Sequence, residues 1–449
     1  MPGGAVVGGY LRQTRDVLCR VEGTKTRVDS QPQHSCTPPI SSILFIRRPP
    51  SRSTPPPPSP PQTYNISNQL SARLFAYTNL AEYLALKDNA KSADPANKTA
   101  VVTVAAHDVL TGLFPFRGTA FDKVAIDTLA GLPPAELAKA KEVAGPVAAA
   151  ALSAAAADCV GALEPYTSFW APADGKADGK YRKAHDTTNS IYPQLRLARG
   201  LSPAGSATWA KDNLAKFYDK PFSLNSTTYA DAVAHVKAIG AKESSTRLAY
   251  ETETAKFWAD GNGTPAITGH YYDIAASLLP ADATLEQTAE LFARIGVAQW
   301  DASIDAWDVK HSVLWWRPVT ALRTDGGAGP GGSGDANWTG LLATPAHPEY
   351  PSGHSVSAGA AAAVLADWFG SDNVTFATNT VAPGFAPRTF TSLRESVDEV
   401  GRSRVYGGVH FQKAVDDGRD LGFAVANATQ DAFDKGTVGF GKGGGAASA

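Results

Sequence analysis

The stretch NQLSARLFAYTNLAEYLALKD, residues 68 to 88, spaces Leu70, Leu74, Tyr77, Leu80 and Leu84 three and four positions apart. That spacing places them on one face of a helix. The same period returns in KTAVVTVAAHDVLTGLF (98 to 114), PAELAKAKEVAGPVAAAALSAAAADCVGAL (134 to 163) and YADAVAHVKAIGA (229 to 241). It continues in SSTRLAYETETAKFWADG (244 to 261) and LEQTAELFARIGVAQWDASIDAWDVKHSVLWWRP (285 to 318). Alternating Val/Ile/Thr segments bounded by hairpin turns are few. The chain is therefore expected to be all-α, with one large helical-bundle domain over residues 63–435.

The flanks differ in character. Residues 1–62 carry no sustained period and end in RRPPSRSTPPPPSPPQ; consecutive prolines favour an extended polyproline rod without a core, so a disordered Pro-rich segment is expected. Residues 436–449 are expected to form a Gly/Ala-rich flexible tail. The stretch DGGAGPGGSGDANW (325 to 338) reads as a loop, and it lacks the Gly-Lys-Ser/Thr ending of a phosphate-binding P-loop.

Of 449 residues, 43% are hydrophobic, and 41 Lys plus Arg balance 43 Asp plus Glu. With no basic run, this argues against nucleic acid or an anionic membrane as partner and for a small molecule. No apolar run reaches the roughly 20 residues of a membrane span, so a soluble chain is expected, with self-association into a homo-oligomer left open. Cys19, Cys36 and Cys159 make neither a disulfide framework nor a CxxC metal site. Met1 is the sole methionine. Scarcity of the side chains that oxidise first suits an enzyme that makes strong oxidants, although a lineage bias in composition would produce it too. Seven of thirteen asparagines begin N-x-Ser/Thr sequons (Asn65, Asn97, Asn225, Asn262, Asn337, Asn373 and Asn427). That enrichment points to an extracellular or secretory-pathway glycoprotein, without a legible signal peptide.

Three separated segments carry the chemistry. In WDVKHSVLWWRP (307 to 318), Lys310 and Arg317 stand seven residues, two helical turns, apart among apolar neighbours and are expected to lie on one face. In TPAHPEYPSGHSVSAGAAAAVL (344 to 365), Ser352 and the Gly353 amide open an apolar helix. Unpaired N–H groups there attract an anion, and His354 stands beside it. GRSRVYGGVHFQKAVDDG (401 to 418) adds Arg404 and His410. Each histidine alone is more often a satisfied core group. Together, three cations and two histidines bordering apolar helices are costly to bury unless a multiply charged oxyanion neutralises them.

The patterns KxxxxxxRP (Lys310 to Pro318), PSGH (Pro351 to His354) and SRxxxxxH (Ser403 to His410), with FWADG at 257 to 261, resemble the superfamily shared by vanadium-dependent haloperoxidases and type 2 phosphatidic acid phosphatases. The likeness is greatest to its soluble haloperoxidase-like branch. The resemblance implies a haloperoxidase/acid phosphatase-type bundle with vanadate as cofactor and phosphate as a competing oxyanion. Hydrogen peroxide, halide and a small organic acceptor are its implied partners. It further implies that Lys310, Arg317, Ser352, Gly353 and Arg404 hold vanadate oxygens, that His410 bonds the metal, and that His354 is the general acid/base. The same residues suit a soluble acid phosphatase with His410 as nucleophile and His354 as general acid, or an inactive extracellular scaffold that kept the fold. His347, seven before His354, stands where bromide-oxidising members carry histidine, whereas Trp307 resembles the chloride-oxidising type. Members often carry Asp four residues after the apical histidine, and here Ala414 stands there. A backbone carbonyl is therefore expected to orient His410, and Glu251, Glu253 or Asp260 to support His354.

Overall fold

The computed structural model describes residues 68–158, 160, 178–182, 190–261 and 264–440. The expected Pro-rich segment, Cys19, Cys36, Cys159, Asn65, Asn262 and the tail beyond Phe440 lie outside the described residues. The helices run α1 (Asn68–Asn89), α2 (Lys98–Leu113), α3 (Gly118–Leu129), α4 (Pro134–Ala157), α5 (Ala207–Asn213), α6 (Thr227–Ile239), α7 (Ala249–Phe257), α8 (Ala266–Leu278), α9 (Leu285–Val313), α10 (Pro318–Thr324) and α11 (Gly353–Phe369). After strands β1 (Phe376–Thr378) and β2 (Arg388–Phe390) come α12 (Leu393–Tyr406) and α13 (Gln412–Asp434).

α9 is the axis of the bundle. Thr284 and Gln287 form a capping box at its start, and from Leu291 to His311 it is buried almost without interruption. A helix buried around its whole circumference has to be wrapped by others, and α1, α11 and α13 pack on it. α11 and α13 approach closely because small residues line the contact. A Cβ on Gly422 would stand 2.3 Å from the Val356 carbonyl, and one on Gly359 would stand 2.7 Å from the Arg419 carbonyl. One continuous hydrophobic core joins all the helices.

Two features depart from the sequence expectation. α9 ends at Val313 instead of running through Pro318: Leu314 takes a left-handed conformation, φ 59°, and Pro318 disfavours helical geometry in Arg317 before it. Lys310 and Arg317 thus belong to two helices joined by a bend, and Trp315 in the bend pairs with Lys180. The fold is also not purely helical, because β1 and β2 form an antiparallel hairpin with Phe376 facing Phe390 and Thr378 facing Arg388. Three-residue strands leave too few alternations to register as a period. The Gly-rich stretch after Thr324 is a loop, as expected, tied down where Tyr229 donates to Asp325 at 3.1 Å.

Candidate functional site

Lys310 projects from the last turn of α9 into the segment that precedes α11. Its Nζ donates to the Pro348 carbonyl at 2.8 Å, the Glu349 carbonyl at 3.0 Å and the Pro351 carbonyl. Three donors meet three acceptors, which fits the ammonium form even though burial first, and Arg317 second, push this lysine well below its ordinary range. Arg317, buried at the start of α10, ties the site together. Its Nε donates to the His347 carbonyl at 2.9 Å, Nη1 to the Val409 carbonyl at 2.8 Å and to His410 Nε2 at 3.1 Å, and Nη2 to His347 Nδ1 at 3.1 Å.

His410 follows the Gly407-Gly408 turn after α12. Because a guanidinium only donates, His410 Nε2 presents its lone pair to Arg317 and Nδ1 carries the proton, donated to Glu349 Oε1 at 2.9 Å. Burial, then Arg317, Lys310 and Arg404, hold this imidazole well below its usual range, so it is neutral. The same Glu349 oxygen accepts the Phe411 amide at 2.9 Å. Burial pushes the Glu349 carboxyl up to about 7 against the pull of Arg317, the Phe411 amide and Lys310. This corrects the sequence expectation: a carboxylate, not a backbone carbonyl, orients His410. Asp417 instead accepts from Tyr350 at 2.6 Å and Lys413 at 2.7 Å.

Ser352 caps α11, accepting the Ser355 amide, and Gly353 opens it. A Cβ on Gly353 would meet Trp307 at an ordinary 3.6 Å; the fold tolerates a side chain there, so its absence leaves room over the helix start. His354, in the first turn, donates from Nε2 to the Ala259 carbonyl at 3.2 Å, which leaves Nδ1 as the acceptor of the neutral ring. Burial, then Arg404, hold it well below the usual histidine range. None of the three acids expected to support it hydrogen-bonds to it directly. Glu251 caps α7 through the Leu248 amide, Glu253 pairs with Arg388 and Asp260 pairs with His270. Arg404, in the last turn of α12, donates Nη1 to the neighbouring Trp258 carbonyl at 3.4 Å, while its buried Nε has no partner. Burial, with Arg317 adding to it, brings Arg404 down to about 10. His347 packs against Trp307, ring centroids 4.9 Å apart.

All the sequence-predicted site residues therefore converge on the start of α11, and each buried cation depresses its neighbours. Glu349 is the one buried carboxylate hydrogen-bonded to the cluster, so the region holds excess positive charge. Among the described residues no group of three or more His, Cys, Asp or Glu side chains is placed to hold a metal cation. The arrangement suits an anion. Glu349 was missed because its sequence signal, an acid two residues before the Pro-Ser-Gly turn, carries no meaning until the turn brings it to His410.

Residues 290–437 match a family model described as the VCPO second helical-bundle domain. The vanadium chloroperoxidase of Curvularia inaequalis is 32% identical over 157 residues, which cover 29% of this chain and only 25% of that relative's length. Among solved structures, a bacterial vanadium-dependent iodoperoxidase superposes with a TM-score of 0.64 at 24% identity, covering 81% of this chain and 91% of the other. A bacterial vanadium-dependent chloroperoxidase superposes with a TM-score of 0.66 at 19% identity, covering 82% and 92%. At these identities the superpositions establish a shared fold, while the family model matches the stretch that holds Lys310, Arg317, His354, Arg404 and His410. Residues 290–437 of this chain are thus similar to the VCPO second helical-bundle domain, and the chain shares the fold of the two bacterial vanadium-dependent haloperoxidases.

Proposed function

We propose that the chain is a vanadate-dependent haloperoxidase that oxidises halide with hydrogen peroxide to a hypohalous acid equivalent, with bromide and iodide preferred. The observation that carries this reading is the orphaned Arg404 Nε beside two further buried cations, the open start of α11 and a neutral His410 with its lone pair on Nε2. These residues fit an oxyanion with a central atom that a nitrogen can ligate: His410 Nε2 would bond the centre, and Arg404, Arg317, Ser352 and the Gly353 amide would hold oxygens. Lys310, whose donors already meet carbonyls, would act there chiefly by its charge. Bound vanadate supplies a Lewis acid that renders peroxide open to attack by halide without a redox change at vanadium.

The protein's own contribution is electrostatics and proton management. Three buried cations are fixed before any substrate arrives, so no reorganisation is needed when negative charge enters. Halide, peroxide and one proton give the hypohalous acid and water, so a proton must be taken from incoming peroxide and delivered to a departing oxygen. His354 is built for this: its lone pair on Nδ1 accepts, and Ala259 holds the ring by the other nitrogen. A small organic acceptor would then consume the hypohalous acid.

Secretion is supported by exposure: Asn97, Asn225, Asn337, Asn373 and Asn427, the sequon asparagines among the described residues, are all exposed. No helix of the described residues is long and apolar enough to cross a membrane.

The test is peroxide consumption by the apoprotein with chloride, bromide or iodide, before and after addition of orthovanadate, beside hydrolysis of a simple phosphate ester. Halide oxidation that appears only with vanadate supports the proposal. Ester hydrolysis alone, with His410 as nucleophile, moves the reading to a phosphatase; neither activity leaves a scaffold.

A further inference from the structure

His354 and Arg404 share an anchor that the chemistry above does not use. Adjacent carbonyls of one loop, those of Ala259 and Trp258, accept from His354 Nε2 and Arg404 Nη1. A loop that aims two carbonyls in different directions must itself be held, and this one is strained: Asp260 sits at φ 37°, in a region that non-glycine residues rarely adopt.

Two buried arms hold it. On one side Asp260 Oδ2 lies 3.0 Å from His270 Nδ1, and His270 Nε2 lies 2.9 Å from Thr378 Oγ1. Both Asp260 and His270 are buried, and the Trp258 ring stacks on the imidazole at 4.5 Å. Burial alone would lower His270, but the Asp260 carboxylate outweighs it and raises the group, consistent with an imidazolium donating to both partners. On the other side Trp258 Nε1 donates to Glu399 Oε1 at 2.8 Å, and Arg388 bridges Glu399 to Thr254. Thr378 and Arg388 are partners on one rung of the β1–β2 hairpin. A single rung of the one sheet among the described residues thus supports both arms.

We propose that His270 and Thr378 are positioning residues, and that the β1–β2 hairpin acts through Asp260 and Trp258 as a clamp which aims the Trp258 and Ala259 carbonyls at Arg404 and His354. The proposal rests on the haloperoxidase reading for what His354 does, but not for how it is held. Misplacing an acid/base group by about 1 Å costs on the order of 100-fold in rate, so the clamp sets turnover more than peroxide binding.

The test compares the parent with His270→Phe, which keeps a ring on Trp258 and removes both bonds, with Thr378→Val, which removes only a hydroxyl, and with Thr378→Ser as the conservative rescue. Nitrogen-15 NMR of the imidazoles reads the His354 tautomer, and calorimetry reads orthovanadate affinity. Expected are a His354 held as the Nε2–H form in the parent and in Thr378→Ser, and a mixture of tautomers in His270→Phe and Thr378→Val. Turnover in His270→Phe should fall about 100-fold with KM for peroxide nearly unchanged, and the limb of the pH profile set by His354 should shift. A His354 signal and an orthovanadate affinity unchanged in both variants, with only the melting temperature lowered, would overturn the proposal. Should His270→Phe fail to fold, Thr378→Val decides by the same readouts. A parent that oxidises no halide removes the haloperoxidase reading and leaves the His354 resonances to decide the clamp.

Discussion

Glu349 Oε1 accepts two hydrogen bonds at 2.9 Å, from His410 Nδ1 and from the backbone amide of the next residue, Phe411. One buried oxygen thereby sets both the tautomer of the histidine and the path of the chain that carries it. Glu349→Gln keeps an acceptor in place and should leave orthovanadate affinity within about threefold. Glu349→Ala strands two buried donors and should cost about 1–3 kcal/mol of stability, with a loss of affinity of about tenfold or more. Calorimetry and denaturant unfolding of the two variants check this, and equal behaviour would show that charge, not hydrogen bonding, is what His410 needs.

Arg404, proposed to hold the oxyanion, has a buried Nε without a hydrogen-bond partner. Arg404→Ala should weaken orthovanadate binding by about 2–5 kcal/mol, the range for truncating one partner of a desolvated charge pair. An affinity equal to that of the parent in titration calorimetry would remove Arg404 from the cradle.

The two histidines should separate by what they lose. His410→Ala removes the Nε2 lone pair and should abolish stable vanadate coordination, whereas His354→Ala should retain the bound oxyanion and slow turnover by about 100- to 10,000-fold. Equilibrium dialysis with vanadium analysis, beside steady-state rates, distinguishes the roles; equal loss of vanadium in both variants would contradict them.

Much of this arrangement was legible in the sequence because its carriers are local. The Pro-Ser-Gly-His turn is a helix start whichever way the rest folds, and α1 and α9 declare themselves by period. What was illegible depends on contacts across the chain. Glu349 meets His410 61 positions away, and Ala259 meets His354 95 positions away. The expected helix through Pro318 failed for one local and one distant reason that apolar periodicity conceals: Leu314 to Trp316 are as hydrophobic as a helix face, yet Pro318 disfavours helical geometry before it and Trp315 pairs with Lys180 across the chain.

Asp305 lies on the buried face of α9 with neither carboxylate oxygen hydrogen-bonded. Burial first, then Asp301 and Asp308, raise it well above the carboxylate range. The folded chain therefore holds this proton more tightly than the unfolded chain, so stability from this group is fullest at acid pH and declines as pH rises towards the folded value. Melting temperatures from about pH 5 to about pH 9 should fall in the parent and fall less in Asp305→Ala, with about 1–3 kcal/mol between them at the alkaline end. Parallel curves would mean that Asp305 does not titrate across that range.

We propose that halide preference turns on His347. Chloride is the hardest of the three halides to oxidise, so it demands the most strongly activated peroxide and a site that loses little activation to competing hydrogen bonds. His347 stands inside the cradle, where Arg317 Nη2 donates to its Nδ1 at 3.1 Å. A guanidinium bond given to His347 is one withheld from a bound oxyanion, and polarity beside the cradle also favours water. Burial, then Arg317 and Lys310, hold His347 well below its usual range, which favours the neutral ring; its Nδ1 lies 3.1 Å from Arg317 Nη2 and 3.2 Å from the Pro348 carbonyl, and because a guanidinium only donates, Nδ1 is the acceptor. Trp307 packs against this ring and would accept a phenyl group in its place. His347→Phe should therefore free Arg317 Nη2 for the oxyanion, tighten orthovanadate binding and raise chloride turnover relative to bromide by about tenfold, equal to about 1.4 kcal/mol of transition-state stabilisation. Chloride, bromide and iodide rates for parent and variant between about pH 5 and about pH 8 decide it. A parent that oxidises chloride as fast as bromide would end the proposal, as would a variant with an unchanged halide ratio.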